Sequence, residues 1–312
     1  MDVDPVMPLF FCIKKLSCFY FSSLRSVYKR LLQCKSSHST GLGGDSMKAD
    51  HKNIIVTGGG NGVGRQLVLE LLTRGAVVIA VDKSQAALNE TILISANNSR
   101  LYTHTVDISN CEEVTAFTAE AVSKYKNIDG LINCAGIIQP FINLDELDLA
   151  AIDRVMNVNF YGTLYMTKSF LPYLKMRPEA HLVNISSMGG FLPVPGQGIY
   201  GASKAAVKVM TEALHSELSN TTVKVTVVFP GGVATDIKVN SDIKGSKSVT
   251  EDIRAKKMLS PEQAAKQILE AMEKNRFQVF IGRDCRIMNV LYRLRPELAM
   301  NLIQRVMAAN SH

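Results

Sequence analysis

Tyr200 and Lys204 stand four positions apart in the stretch YGASK. On a helix that spacing sets both side chains on one face, one turn apart. A phenol ionises near pH ~10, and an ammonium beside it favours the phenolate. Tyr200 is thus a candidate acid/base, with Lys204 as its tuner. Spacing alone fits an ordinary helix surface equally well, so the surroundings must decide. A second chemical feature is the glycine-rich turn TGGGNGVG at 57–64. Glycines let main-chain N–H groups approach a phosphate closely at a helix N-terminus. Asp82 follows Gly64 by eighteen residues and ends the next apolar run. A carboxylate there suits the ribose hydroxyls of an adenosine and repels a 2′-phosphate, which favours NAD(H) over NADP(H). Lys83, next to it, could accept that phosphate and keeps NADP(H) open. Asp82 could also serve with Ser84 as a helix cap.

The elements that must position these residues alternate along the chain. Apolar, β-branched runs at 53–58, 76–82, 101–107, 128–136, 180–186, 223–230 and 276–282 read as buried strands. Helical periodicity fills the intervals, at 62–74, 84–96, 109–126, 148–176, 199–219 and 261–273. Such alternation predicts an α/β fold, a Rossmann-type doubly wound parallel sheet of about seven strands with helices on both faces. Ligands on these sheets bind at the carboxyl ends of the strands, so chemistry should be sought just after each strand.

The turn has the spacing T-G-x-x-x-G-x-G, with Thr57, Gly58, Gly62 and Gly64. Asp107 and Ile108 follow the third strand. Asn133, Ala135 and Gly136 follow the fourth, with Cys134 where an N-N-A-G motif has its second Asn. N-V-N stands at 157–159, Ser187 precedes Tyr200 by thirteen residues, and Pro230, Gly231 and Thr235 form P-G-x-x-x-T. In this order over about residues 52–282, the motifs resemble the short-chain dehydrogenase/reductase family. The resemblance implies an NAD(P)-dependent oxidoreductase, a short-chain alcohol dehydrogenase or carbonyl reductase. It implies Tyr200 as general acid/base and Lys204 as tuner and ribose ligand. Ser187 would hold the substrate oxygen, and Asn159, mid-helix, would hold a water for a proton relay. It places at the cofactor Thr57, Gly58, Asn61, Gly62, Val63, Gly64, Asp82, Asp107, Ile108, Asn133, Ala135, Gly136, Tyr200, Lys204, Pro230, Gly231, Val233 and Thr235. It also implies a homo-oligomer, dimeric or tetrameric.

Segments after strands four, five and six should shape the substrate pocket: Ile138 and Gln139, then Met188, Phe191, Leu192 and Val194, then a lid at 236–260. Their apolar character points to a lipophilic secondary alcohol or carbonyl compound, although each could equally pack the lid itself. Cys134, with no histidine after a neighbouring strand, reads as a small core residue. In the tail, 283–312, Ile287, Leu291, Leu294, Leu298, Leu302 and Val306 form an apolar stripe among five Arg and two acids. It could cap the pocket, join subunits or lie on a membrane; packing on its own domain is the expectation.

Two further classes compete: a non-catalytic nucleotide-binding sensor, and a membrane-associated scaffold on the same fold. The net charge of +7 includes +3 from residues 1–50, so the body is only mildly basic and nucleic acid is not expected. Six Cys without C-x-x-C pairs, and six His without ligand spacing, predict neither disulfides nor metal. They suggest a reducing, cytoplasmic setting, with mitochondrial or peripheral membrane placement as alternatives. Residues 1–50 read as a separate extension ahead of a single domain at 51–312. Within it Leu9, Ile13, Leu16, Tyr20, Leu24, Val27 and Leu31 share a helical face with basic neighbours. That face reads as a membrane-surface helix, a targeting presequence, or an unstructured stretch ahead of Met47.

Overall fold

A computed structural model of the chain describes residues 47–235, 237, 241 and 258–308. These belong to one compact unit, Ser46–His312. The proposed N-terminal helix face lies outside the described residues, as does most of the 236–260 lid. Met47 and Ala49 are buried, so the core reaches back beyond the expected boundary at 51.

Seven strands form one sheet: β1 Asn53–Thr57, β2 Val77–Asp82, β3 Leu101–Thr105, β4 Gly130–Asn133, β5 Ala180–Ile185, β6 Val223–Pro230 and β7 Gln278–Ile281. Their order is β3-β2-β1-β4-β5-β6-β7, and every pairing is parallel. The winding direction reverses between β1 and β4, which opens a crevice beyond their carboxyl ends. All four residues of β4 and all six of β5 are buried, as expected of strands covered on both faces.

The helices are α1 Gly62–Thr73, α2 Gln85–Ile94, α3 Cys111–Tyr125, α4 Leu149–Met156, α5 Thr163–Lys175, α6 Gly198–Glu217, α7 Pro261–Glu273, α8 Arg283–Leu294 and α9 Pro296–Ala308. Strand pleating sends alternate residues to opposite layers. Ile54 and Val56 pack with Leu67, Leu71, Ile268 and Met272 of α1 and α7. Ile55 packs on the other side with Phe117 of α3 and Met166 and Phe170 of α5. Each fully buried Leu, Ile or Phe contributes about 1.5–3 kcal/mol, so the two layers stabilise the strand ends firmly.

Local sequence sets the helix ends. Ser84 caps α2 through Ala87 N–H, while Asp82 bonds the N–H groups of Gly60 and Ser84. The cap is therefore Ser84, and Asp82 is left at the strand end. Ser260, Gln263 and Pro261 start α7 with a capping box. The single helix expected at 148–176 is interrupted by a π-helical turn at Asn157–Gly162. Gly162 is needed there, because a Cβ would lie 2.8 Å from the Ile108 side chain. Apolar periodicity continues through such a turn, so the pattern does not reveal it.

Candidate active site

The glycine turn is built around missing side chains. Gly58 has φ +71°, and a Cβ on it would meet Ala135 Cα at 2.9 Å. A Cβ on Gly64 would collide with the Gly58 carbonyl. The turn thus nests α1 against the β4 loop, and Asn61 caps α1 by accepting from Gly62 N–H at 2.7 Å. Arg65 ties the turn to α2 through the Gly60 carbonyl, Thr91 and Glu90. Thr235 lies beside the turn, 3.5 Å from where a Gly62 Cβ would stand. Asp82 and Val63 are partly exposed, and Lys83 is exposed. The residues fit a dinucleotide: a glycine turn leads into a helix N-terminus, with a carboxylate at the end of β2.

Some expected cofactor residues brace the site with their side chains. The buried Thr57 hydroxyl accepts from Cys134 and Ala135 N–H, both at 3.1 Å, and fixes the β4 loop to β1. Asn133 turns inward and donates to Asn184 at 2.8 Å and Thr167 at 3.1 Å. Asp107 closes a local turn by accepting from Ser109 N–H and Oγ, while Ile108 packs on Gly162. After β6, Gly231 N–H donates to Ile281 O, Gly232 N–H donates to Asp284 at 2.8 Å, and Val233 pairs with Leu259. Asp284 anchors the loop carrying Pro230 and Gly231, a role that no motif in the sequence announces.

The four residues of the expected proton machinery meet at the strand ends. Ser187 follows β5 beside the Tyr200 ring: a Cβ on Gly189 would stand 3.4 Å from Tyr200 Cε1 and 3.6 Å from Ser187 Oγ. The Ser187 hydroxyl accepts from Gly189 N–H at 3.1 Å. Lys204 is 4% exposed and donates from Nζ to the Ile185 carbonyl at 3.0 Å. Asn159 is fully buried in the π turn: Oδ1 accepts from Ile137 N–H, and Nδ2 donates to Ile137 O and Ser203 Oγ. A Cβ on Gly136 would stand 3.1 Å from Lys204 Nζ and 3.3 Å from Asn159 Oδ1, so this glycine admits both. The Asn159 carbonyl, the expected holder of a relay water, already accepts from Thr163 Oγ1 at 2.8 Å.

Burial governs the charges. Burial lowers Lys204 from 10.5 to about 8, slightly opposed by Cys134. Tyr200 is pushed up by burial, opposed only by its bond with Ser187. In the protein alone desolvation dominates the phenol, and the Lys204 ammonium donates to the Ile185 carbonyl. Burial drives Cys134 up to about 12, which leaves it a neutral thiol.

The pocket expectations divide. Met188, Phe191 and Val194 are partly exposed, and Leu192 is buried. Phe191 packs edge-on to Phe229 and Phe280 and tilts against Tyr292 of α8. Ile138 and Gln139 are buried, with exposures of 6% and 1%. Ile138 N–H donates to Ser241 Oγ, and the Gln139 side chain bonds backbone around α6. Alternating polarity along a loop does not reveal which way it folds back. The tail packs on its own domain, as expected, but mostly through another face than the apolar stripe. Met288, Leu291, Tyr292, Ala299 and Ile303 pack on the Met188–Leu192 region. Ile287, Leu294, Leu298, Leu302 and Val306, the rest of the expected stripe, are exposed. Among the described residues, no helix is long and apolar enough to cross a membrane, and no group of three His, Cys, Asp or Glu is placed to hold a metal.

A doubly wound parallel sheet with a glycine turn at its switch point defines a Rossmann-type, dinucleotide-binding class of protein. Residues 52–244 match the short chain dehydrogenase family, and the chain belongs to it. It is 33% identical over 259 residues to SadH, an inferred oxidoreductase of Mycobacterium tuberculosis, covering 81% of this chain and 94% of that protein. A short-chain dehydrogenase/reductase of Burkholderia phymatum in complex with NAD superposes with TM-score 0.73 at 25% identity, covering 81% of this chain and 96% of that one. A short chain dehydrogenase of Burkholderia cenocepacia in complex with NADP gives 0.68 at 27%, covering 82% and 99%.

Proposed function

We propose that this protein is an NAD(P)-dependent oxidoreductase that interconverts a lipophilic secondary alcohol and its carbonyl compound, with Tyr200 as general acid/base. The observation that carries this reading is the meeting of Ser187 and Tyr200 around Gly189, beside a buried Lys204 and next to the glycine turn. The glycine turn, Asp82 and the loops after β4 and β6 would hold the dinucleotide, which when bound supplies or accepts the hydride. Ser187 holds the substrate oxygen. Tyr200 donates the proton to that oxygen in reduction and removes it in oxidation. Lys204 and Asn159 keep this corner polar and ordered inside a buried loop cluster. Met188, Phe191 and Val194 offer an apolar lip, which supports a lipophilic substrate.

Asp82 supports NAD(H) as the preferred nucleotide. A panel of aliphatic, steroid and retinoid alcohols and carbonyls, run with NAD(H) and NADP(H) side by side, tests both parts. Turnover with one lipophilic class and better kcat/KM for NAD(H) are expected; cofactor binding without any turnover would favour the sensor reading. Asp82→Asn keeps an acceptor for one of the Gly60 and Ser84 N–H groups, gives up the other bond, and removes the charge facing a 2′-phosphate. The NAD-over-NADP ratio should fall on the order of 10- to 100-fold, since like-charge juxtaposition costs several kcal/mol. An unchanged ratio would remove Asp82 from nucleotide choice.

We also propose that the tail meets an anionic membrane surface. Exposed Ile287, Val290, Leu294, Leu298, Leu302 and Val306 lie on α8 and α9 with Arg283, Arg286, Arg293, Arg295 and Arg305 against Asp284 and Glu297. Sedimentation with phosphatidylserine-containing vesicles should carry the full chain down, and Leu294→Asp with Leu298→Asp should abolish this while leaving turnover intact. Equal sedimentation of both, or sedimentation of neither, refutes the proposal.

A further inference from the structure

Gln139 and Gln197 form a clasp that neither residue type nor spacing signals. Helix α6 carries Tyr200 and Lys204, and its first N–H groups have no partners within the helix. Its cap residue, Gln197, makes no side-chain cap bond. The acceptor comes instead from the loop after β4. Gln139 Oε1 accepts from Ile199 N–H at 2.9 Å and from Tyr200 N–H at 3.0 Å. Its Nε2 donates to the Gly196 carbonyl at 3.0 Å. Gln197 Nε2 returns the contact by donating to the Gln139 carbonyl at 2.8 Å and to the Pro140 carbonyl at 3.3 Å. The two side chains are 1% and 4% exposed.

We propose that Gln139 is a positioning residue for the proton transfer, locking the first turn of α6, and with it Tyr200, to the β4 loop that carries Gly136. The inference rests on Tyr200 being the acid/base. A serine or aspartate at position 197 would satisfy the same N–H groups, but it would leave the helix free to shift against β4. A cap supplied from β4 fixes the Tyr200 backbone relative to the loop on which Ile137 holds Asn159. The choice of an amide also matters. A carboxylate would cap a helix N-terminus well, but its charge near the phenol would oppose phenolate formation. Gln139 accepts two N–H bonds without that penalty.

The experiment compares Gln139→Ala, Gln139→Glu and Tyr200→Phe in the full chain, with substrate identified from the panel above. Gln139→Ala is expected to lower kcat roughly 10- to 100-fold, as for a small misplacement of a reacting group. The Kd for NADH should change by less than threefold. Gln139→Glu keeps the cap, so it should recover most of kcat, but with the alkaline limb of its pH–rate profile displaced to higher pH. Wild-type kcat in Gln139→Ala, or a Gln139→Glu profile superimposable on wild type, overturns the proposal. If Gln139→Ala does not fold, the Gln139→Glu profile alone decides: displacement of its alkaline limb supports the proposal, and superposition on wild type overturns it. Tyr200→Phe separates the layers. If it remains active, the acid/base reading itself has failed. If it is inactive while the Gln139 variants behave as wild type, only the positioning role has failed.

Discussion

Tyr200→Phe is expected to cut turnover by about 10²–10⁴-fold, the usual worth of a general acid/base, while NADH still binds. The phenyl ring fills the same space and loses one hydroxyl. Ser187 stands beside that ring and retains its own anchor on Gly189 N–H. The glycine turn, Asp82 and the β6 loop do not depend on the lost hydroxyl. Fluorescence titration with NADH and single-turnover kinetics would measure the two quantities separately. Near-normal turnover would displace Tyr200 from the mechanism. Because burial pushes the phenol up in the free protein, its acidity must be raised by what binds beside it. The alkaline limb of the kcat profile should accordingly lie lower than the phenol's titration in the protein without nucleotide, and a spectroscopic titration of both forms would show whether it does.

Lys204→Met should have an equally large and less intuitive pair of effects. Turnover should fall by on the order of 100-fold or more, because Tyr200 loses the nearby cation and the nucleotide loses a ligand. The protein without nucleotide should become more stable at pH 7. Lys204 falls from 10.5 to about 8 on folding, because burial disfavours the charged form. Between those values the unfolded chain holds more protons than the folded one, so stability rises with pH across that window. At pH 7 the folded protein carries the whole cost of the buried cation. The gap, 10.5 minus about 8, corresponds to about 3 kcal/mol. Removing the bond to the Ile185 carbonyl returns about 1 kcal/mol of that. Thermal unfolding should show a higher Tm for Lys204→Met at pH 7, with the advantage shrinking as pH rises above about 8 toward 10.5. A lower Tm at pH 7 would mean that Lys204 is not held at a cost.

The same two residues show what could be read from the chain. Strand and helix periods are local, and all seven strands and the helices around the site appear close to the positions that their apolar patterns require. Glycines in the 57–64 turn are equally legible, because a missing side chain between a strand and a helix has few other uses. The π turn at Asn157–Gly162 was hidden because an extra residue in a helix leaves the types on its buried face unchanged. The tail stripe misled because periodicity shows that a face is apolar without saying that anything covers it. Gln139 follows β4, and nothing in its type or position shows that its amide folds back on α6.

By itself, then, the sequence determined the order of elements, the family and the small set of side chains at the strand ends. These depend on residue type and on short spacings, which survive in one dimension. Only the tertiary structure decided which of those side chains face the crevice and which brace it. Thr57 and Asn133 turned inward, Lys204 reached the Ile185 carbonyl, and Gln139 took hold of the helix that carries Tyr200. Hydrogen-bond partners tens of residues apart are chosen by how the packed layers bring loops together. The charge state of a buried amine or phenol follows from the same packing, through the water that it excludes.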